Sequence, residues 1–460
     1  MDFTRSVPVW EPYDLVVCGG GPSGIPAALA ARRNGLRVLL VEAQGQLGGV
    51  TTSAGVSHLL GGRTYDTGTP LVGGIFWEIT TELAARGGAL DPDQIDRSER
   101  YPVFGWSKGL ATGVPVDPYA YAAFLDEKML DAGVDVLFFT SFVDAVVTGS
   151  RVDRVVLFNK SGLFAVPCRA VVDATGDADV AARSGCAVSK GRAEDGLMTP
   201  ASLIFHVDNV DQDALRDEIY ATSSNRFREL IADLRARGEW TFPYEIFISV
   251  QLTHKGTMMI NTTRITDVDG TDGLSISRGM MQGRREVNRL MGLMRRHFPG
   301  FRDARIRFVA PNLGIRETRR IVGDFVMTVE DLVAARDFPD TIGFSGHGWD
   351  LPDPKAPSHQ PMEQVRRRRP YTPIPYRVMV PRPVANVLCP GRAISVERDV
   401  LGPLREQAPC YAMGHAAGLA AVQALREGSA FHDLDTDALR EALLAAGAIV
   451  DVAPAPASPR

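Results

Sequence analysis

Asp14-Leu-Val-Val-Cys-Gly-Gly-Gly-Pro-Ser-Gly24, followed by an alanine-rich run and then Val38-Leu-Leu-Val-Glu42, decides the fold of this 460-residue chain. It predicts a short apolar strand, a G-x-G-x-x-G turn at Gly19, Gly21 and Gly24, a helix, and a second strand ending in an acid. Each part has a physical task in holding a dinucleotide. Gly19 turns the chain sharply off the strand. Gly21, in a turn completed by Pro22 and Ser23, lets the backbone approach a pyrophosphate with no Cβ in the way. Gly24 and Ala28 let the helix lie close on the sheet, so that its N–H groups and positive end face the phosphates. Glu42, with Ala43 beside it, can accept hydrogen bonds from both adenosine ribose hydroxyls, and its charge repels a 2′-phosphate.

The length predicts two or three folding units with ample chain for a large core. An apolar fraction of 45% and a charged fraction of 23% are those of a globular protein, and a net charge of −5 gives no reason to expect nucleic acid or an anionic membrane as partner. The first residues lack the charged start and apolar run of a signal peptide, and no apolar stretch is long enough for a bilayer, so a cytoplasmic protein is expected. Cys18, Cys168, Cys186, Cys389 and Cys410 are scattered without C-x-x-C or histidine spacing, so neither a redox dithiol nor a metal site is expected.

Outward from the first βαβ unit, residues 45–74 are glycine-rich and irregular, in the manner of a functional loop. Asp117-Pro118 opens an amphipathic helix to Ala132 as an N-cap followed by proline. A strand from Val134, an antiparallel pair at Val143–Val147 and Arg154–Phe158, and a buried strand at Arg169-Ala-Val-Val-Asp-Ala-Thr-Gly176 follow. From about Ser189 to Phe308 strand-like segments alternate with long polar helices, one over Gln212–Ala236 and one over Ser277–His297. The expected fold is therefore α/β: a Rossmann-like nucleotide-binding domain with a parallel sheet in two parts, residues 1–188 and 309–452, and a mixed α/β substrate domain inserted at 189–308. Residues 453–460 read as a disordered tail.

Several ordered blocks give the chain a wider resemblance. Besides the glycine triplet they are Leu47-Gly-Gly-Val-Thr-Thr-Ser53, Val171-Val-Asp-Ala-Thr-Gly-Asp177, Pro311-Asn-Leu-Gly-Ile-Arg-Glu-Thr-Arg-Arg-Ile-Val-Gly323, Ile374-Pro-Tyr-Arg377, Gly391-Arg-Ala-Ile-Ser395 and Leu404-Arg405 with Gly414-His-Ala-Ala-Gly418. Across residues 13 to about 425 the sequence resembles the FAD-dependent oxidoreductases with a glutathione-reductase-type fold, and within them the subgroup marked by P-N-L-G-I-R-E-T-R-R-I-x-G. That resemblance implies FAD, with Gly48, Gly49, Val50 and Thr51 beside the flavin and pyrophosphate. It places Ala174, Thr175 and Gly176 near the adenosine, and Gly391 and Arg392 on the pyrophosphate and ribityl chain. A helix from Pro409 to Leu425 would point its N-terminus at the flavin C2 carbonyl, and Ala408, Cys410 and Val143 are further expected contacts. His415 departs from the glutamine of the family pattern. NAD alone, the alternative cofactor, leaves the distal blocks unexplained.

An FAD enzyme oxidising an alcohol or amine needs a base, an orienting cation and a dry pocket. His58, in the loop after Gly49, and His347, in Gly343-Phe-Ser-Gly-His-Gly-Trp-Asp350, are candidates for the base; the alternative for each is a histidine that merely anchors its loop. Arg316 is a candidate for holding a substrate carboxylate; with Glu317 and Arg319 it equally fits a buried Arg–Glu network. Asn261 and Arg264 read as pocket-lining or, more readily, as surface residues. Tyr371 and Tyr376 read as packing, Met280, Met281, Met291 and Met294 as core, and Arg366–Arg369 as a solvated run. Cys410 sits where a helix N-terminus lowers a thiol pKa, against a simple packed thiol. The expected activity is hydride transfer from a small organic molecule to the flavin, with reoxidation by oxygen or an external acceptor and a homodimer as a possible assembly. The alternatives are an NAD(P)H-dependent monooxygenase or reductase, and a non-catalytic flavin-containing assembly protein.

Overall fold

The first βαβ unit forms because its strands are apolar at almost every position, the pattern of strands covered on both faces. In the computed structural model, which describes residues 4–91 and 113–452, β1 (Tyr13–Cys18), α1 (Gly24–Arg33) and β2 (Val38–Val41) make a right-neighbour parallel pair with Leu15 opposite Val38 and Cys18 opposite Val41. The tail expected at 453–460 lies outside the described residues.

The main sheet orders as Asp135–Leu137, β2, β1, Gly162–Asp173, Arg151–Asn159 and Ser141–Thr148, with Val387–Leu388 also paired to Gly162–Asp173. The 12-residue strand is the joint of this sheet. Its first half pairs antiparallel with Arg151–Asn159, and its second half pairs parallel with β1 and with Val387–Leu388. The chain is thus α/β with a mainly parallel, Rossmann-like sheet. The helix Pro118–Ala132 starts as predicted, with the Asp117 side chain accepting from the Ala120 N–H.

The final long helix, Gln407–Glu427, lies against α1. Gly414 and Gly418 make this approach possible: a Cβ there would come within 2.0 Å of the Ser23 carbonyl oxygen and 2.5 Å of that of Ala27. Small residues on both helices therefore bring the helix N-terminus to the glycine turn.

A second sheet, antiparallel throughout, orders as Ser249–Gln251, Met258–Ile260, Phe205–Asp208 and Arg305–Val309. It packs with helices on a core of its own drawn from residues 201–313, in which Trp240, Phe247, Phe301 and Met294 are fully buried or nearly so. Val188–Lys190 and Arg319–Ile321 pair antiparallel just outside those limits. Two expectations are corrected here. Residues 212–236 form two helices, Gln212–Thr222 and Arg228–Ala236, because the turn-forming Ser-Ser-Asn between them takes Ser223 and Phe227 to positive φ. Met281 is 55% exposed while Met291 and Met294 are buried, since neighbouring residues on a helix point about 100° apart.

Candidate active site

One cleft of about 560 Å³ runs from the end of β1 to the N-terminus of the final helix. At its first end the backbone makes the walls. A Cβ on Gly19, whose φ is +108°, would sit 2.3 Å from the Ala174 oxygen, and one on Gly24 would sit 1.8 Å from the Gly19 oxygen. Those two glycines serve the packing of turn, helix and strand. Gly21 differs: a Cβ there meets nothing closer than 3.8 Å, so the room it leaves faces the cleft. Glu42 is buried and accepts from the N–H groups of Gly20 at 2.7 Å and Gln44 at 2.8 Å. Burial raises its pKa despite these bonds.

Opposite the turn, Asp173 is fully buried, accepting from Thr175 Oγ1 at 2.7 Å and the Ala181 N–H at 2.9 Å, and burial pushes it up to about 6. It fixes the loop Ala174-Thr-Gly176, whose residues line the cleft. Arg392 lines it too, with one guanidinium nitrogen on Asp177 at 2.5 Å. Its Nη1 is buried with no partner among the described residues.

At the second end side chains take over. Arg316, Arg405, Glu406, Gln407 and Asn312 line this part. Arg316 is buried and donates to Pro200 O at 2.7 Å, Ser202 Oγ at 2.9 Å and Asn261 Oδ1 at 3.3 Å. Burial, with the nearby charges of Arg264 and Arg405, lowers its pKa to about 9. Arg405 donates to Asp350 Oδ2 at 3.2 Å and lies 3.1 Å from Glu406 Oε1. Behind Glu406 stands His347, its Nδ1 2.8 Å from the Tyr65 hydroxyl and its Nε2 3.7 Å from Asp350 Oδ2 and 4.0 Å from Glu406 Oε1. Burial alone would raise Asp350, but the neighbouring His347 ring and the charges of Arg405 and Arg316 outweigh it and hold the carboxyl well below its usual range. Ligand atoms of His347, Asp350 and Glu406 all lie within 4.8 Å of one another. Arg405 already occupies both carboxylates, so the trio is an ion-pair network rather than a cage for a cation.

A family model described as FAD dependent oxidoreductase matches residues 14–443. The chain belongs to that family. Local similarity reaches 47% identity over 53 residues with dihydrolipoyl dehydrogenase of Trypanosoma brucei brucei, covering 12% of this chain and 11% of that one. It reaches 45% over 51 residues with thioredoxin reductase of Ureaplasma parvum serovar 3, covering 11% and 16%. The chain thus spans less than a fifth of the length of these curated relatives. A geranylgeranyl bacteriochlorophyll reductase-like structure from Thermoplasma acidophilum aligns at TM-score 0.48 and 13% identity, over 95% of this chain and 83% of that one. The p-nitrophenol 4-monooxygenase of Pseudomonas putida aligns at 0.47 and 12%, over 94% and 84%.

The cofactor of this FAD dependent oxidoreductase is FAD, and the residues present fit it. The space at Gly21, the orphaned Arg392 nitrogen and the free acceptor capacity of Glu42 are what a pyrophosphate and a ribose require. Of the expected contacts, Gly19, Gly21, Pro22, Ser23, Glu42, Ala43, Gly49, Val50, Ala174, Thr175, Gly176, Gly391, Arg392 and Cys410 line the cleft. Gly24, Gly48, Thr51, Val143 and Ala408 do not. Gly24 is buried under the turn, and Thr51 is fully buried with Oγ1 unpartnered among the described residues. Val143 is 39% exposed, and its neighbours Ser141 and Phe142 line the cleft instead. The Ala408 N–H is taken by the Leu60 carbonyl.

The catalytic candidates of this flavoprotein separate in the same way. Arg316 lines the cleft and His347 stands one layer behind it. His58 is fully buried against Gly113, and burial lowers its pKa to about 4. Arg264, read more readily as a surface residue, is 3% exposed and donates to Ser202 Oγ, Asn261 O and Thr263 O. Cys410 is no activated thiol: burial, then the Glu406 charge, pushes it up to about 12, overriding the helix end. Tyr376 donates to Phe431 O and is packing. In the basic run, Arg366 and Arg368 are exposed, but Arg367 turns inward to His347 O at 2.9 Å. Glu406, Asp350 and Tyr65 were not site candidates in the sequence, and Arg405 stood out only as part of a family-like block. The cue was positional: Arg405 and Glu406 directly precede the helix that meets the glycine turn.

Proposed function

We propose that this flavoprotein oxidises a small organic molecule by hydride transfer to the flavin, with oxygen or an external acceptor taking the electrons afterwards. Bound FAD supplies the hydride acceptor; the chain's own residues position the substrate and handle its proton. The observation that carries this reading is the second end of the cleft, where Arg316, Arg405 and Glu406 line a pocket continuous with the nucleotide-binding turn. Glu406 presents a carboxylate to the pocket, and His347 behind it, oriented by Tyr65, is the group to which a substrate proton passes. His58, held neutral and weakly basic by burial, supports the loop rather than the chemistry. In the same reading, residues 189–308 act as the substrate domain that closes this end. The block Pro311–Gly323 marks the chain's subgroup, and the protein works in the cytoplasm.

The test is anaerobic mixing of the FAD-loaded protein with a panel of alcohols, amines and acids. Bleaching of the flavin by one of them supports the proposal. Bleaching by NAD(P)H alone, followed by oxygen-dependent hydroxylation, would overturn it in favour of a monooxygenase.

A further inference from the structure

The second end of the cleft is out of charge balance. Arg264, Arg316 and Arg405 are clustered there, and Arg226 stands close enough for its charge to act on the same Asp350 and Arg264. Against these four guanidiniums are three carboxylates, Asp350 and Glu406 at the cleft and Glu363 acting on Arg226. Arg405 takes up the first two, through its contacts at 3.2 and 3.1 Å. Arg316 and Arg264 hold only neutral acceptors. Their hydrogen bonds end on the carbonyl oxygens of Pro200, Asn261 and Thr263, on Ser202 Oγ and on Asn261 Oδ1. Arg264 Nε and Arg405 Nε are buried with no partner among the described residues.

The neighbouring Glu317 shows what a satisfied arrangement looks like in this protein. Its carboxylate, fully buried, accepts from Arg320 at 3.2 Å, Arg398 at 2.9 Å and the Thr199 N–H at 2.9 Å. Burying a cation without a counter-ion is costly, and the cluster is retained where Arg316 and Arg405 face an open pocket. A bound anion would remove that cost.

We propose that the substrate is a small organic acid whose carboxylate binds at Arg316, with Arg405 and Arg264 completing its electrostatic cradle. This rests on the oxidoreductase reading above and adds the substrate class to it. A guanidinium holds a carboxylate through charge-assisted hydrogen bonds, and Arg316 Nη1 keeps one hydrogen beyond its bond to Pro200 O. The rest of the acid then extends along the cleft toward Val50, Ser53 and Gln407.

Calorimetric titration of the FAD-loaded, oxidised protein with acetate, succinate and benzoate, alongside acetamide, benzamide and inorganic sulfate, tests this. Saturable binding of at least one carboxylate is expected, with its amide counterpart at least ~30-fold weaker. Arg316→Gln should lower the carboxylate affinity by a similar factor with an unchanged flavin-to-protein ratio, and Arg316→Lys should recover part of it. Equal binding of amides, or binding that survives Arg316→Gln, overturns the proposal. Sulfate binding alone would make the site one for a tetrahedral anion and overturn it as well. If no anion binds and Arg316→Gln instead lowers the flavin reduction potential, the cluster answers the charge of the reduced cofactor. The two readings fail separately: reduction by a neutral substrate sinks the organic acid and leaves the oxidoreductase, whereas carboxylate binding without reduction by any donor does the reverse.

Discussion

The two ends of the cleft are built on opposite principles. At the nucleotide end the work is done by backbone. Glycines at 19, 21 and 24, a helix terminus and one acid lie within about thirty residues, joined from farther along the chain by Ala174–Gly176 and Arg392. At the other end polar and charged side chains from five separated segments meet: Tyr65, Arg264, Arg316, His347 with Asp350, and Arg405 with Glu406. The first arrangement suits a ligand that every FAD enzyme shares. The second suits a substrate particular to this one, because long side chains can be exchanged without disturbing the sheet.

If close backbone packing defines the first end, Gly24→Val should be the most damaging change. Its Cβ would enter the Gly19 carbonyl oxygen, and a loss of more than ~4 kcal/mol of stability together with all bound FAD is expected. Thermal unfolding and the flavin-to-protein ratio measure both; a stable, yellow variant would refute the packing argument.

Adjacent residues provide the next contrast. Glu317→Gln leaves Arg320 and Arg398 without their shared counter-ion, so a loss of about 3–5 kcal/mol is expected in denaturant unfolding. Arg316→Gln removes a cation that has no carboxylate partner. Stability within about 1 kcal/mol of the parent is expected, with kcat/KM for the substrate down by ~100-fold or more. Equal destabilisation by the two would show that Arg316 is structural.

Acid should weaken the fold through buried histidines that line neither end of the cleft. Burial holds His206 and His415 near 4, so in the folded protein they stay neutral while the unfolded chain binds protons from about 6.5. Stability then falls as pH drops from about 6.5 toward 4 and levels off below, by on the order of 1–3 kcal/mol for each histidine. Urea midpoints across that range should show the slope, and His206→Phe should flatten part of it.

Gly21→Ala isolates ligand room from protein packing. Since its Cβ makes only ordinary contact, the apoprotein should unfold within about 1 kcal/mol of the parent while FAD binds roughly 5–150-fold more weakly. The smallest effect is expected from Arg366→Ala and Arg368→Ala, both exposed, which should change stability by less than ~0.5 kcal/mol and leave FAD binding unaltered.

Much of the fold was legible because its signals are local. The βαβ unit, the Asp117-Pro118 helix start and the final small-residue helix each follow from residues within a few positions of one another. Legibility fell where a property depends on distant neighbours. Arg264 looks like a surface residue until Tyr244, Ser202 and Arg316 close over it. Met281 shares its neighbour's composition but not its face of the helix. Cys410 has the right place on a helix for activation, but burial and then the Glu406 charge cancel it.

The sequence alone determined that this chain is built for a dinucleotide, since strand, glycine turn, helix and acid are set by steric demands that act over adjacent residues. The split between Arg316 and Glu317 was decided by tertiary structure. The two side chains leave the same loop for different surroundings, and only the packing of the two cores determines which one enters a closed ion network and which one faces the cleft.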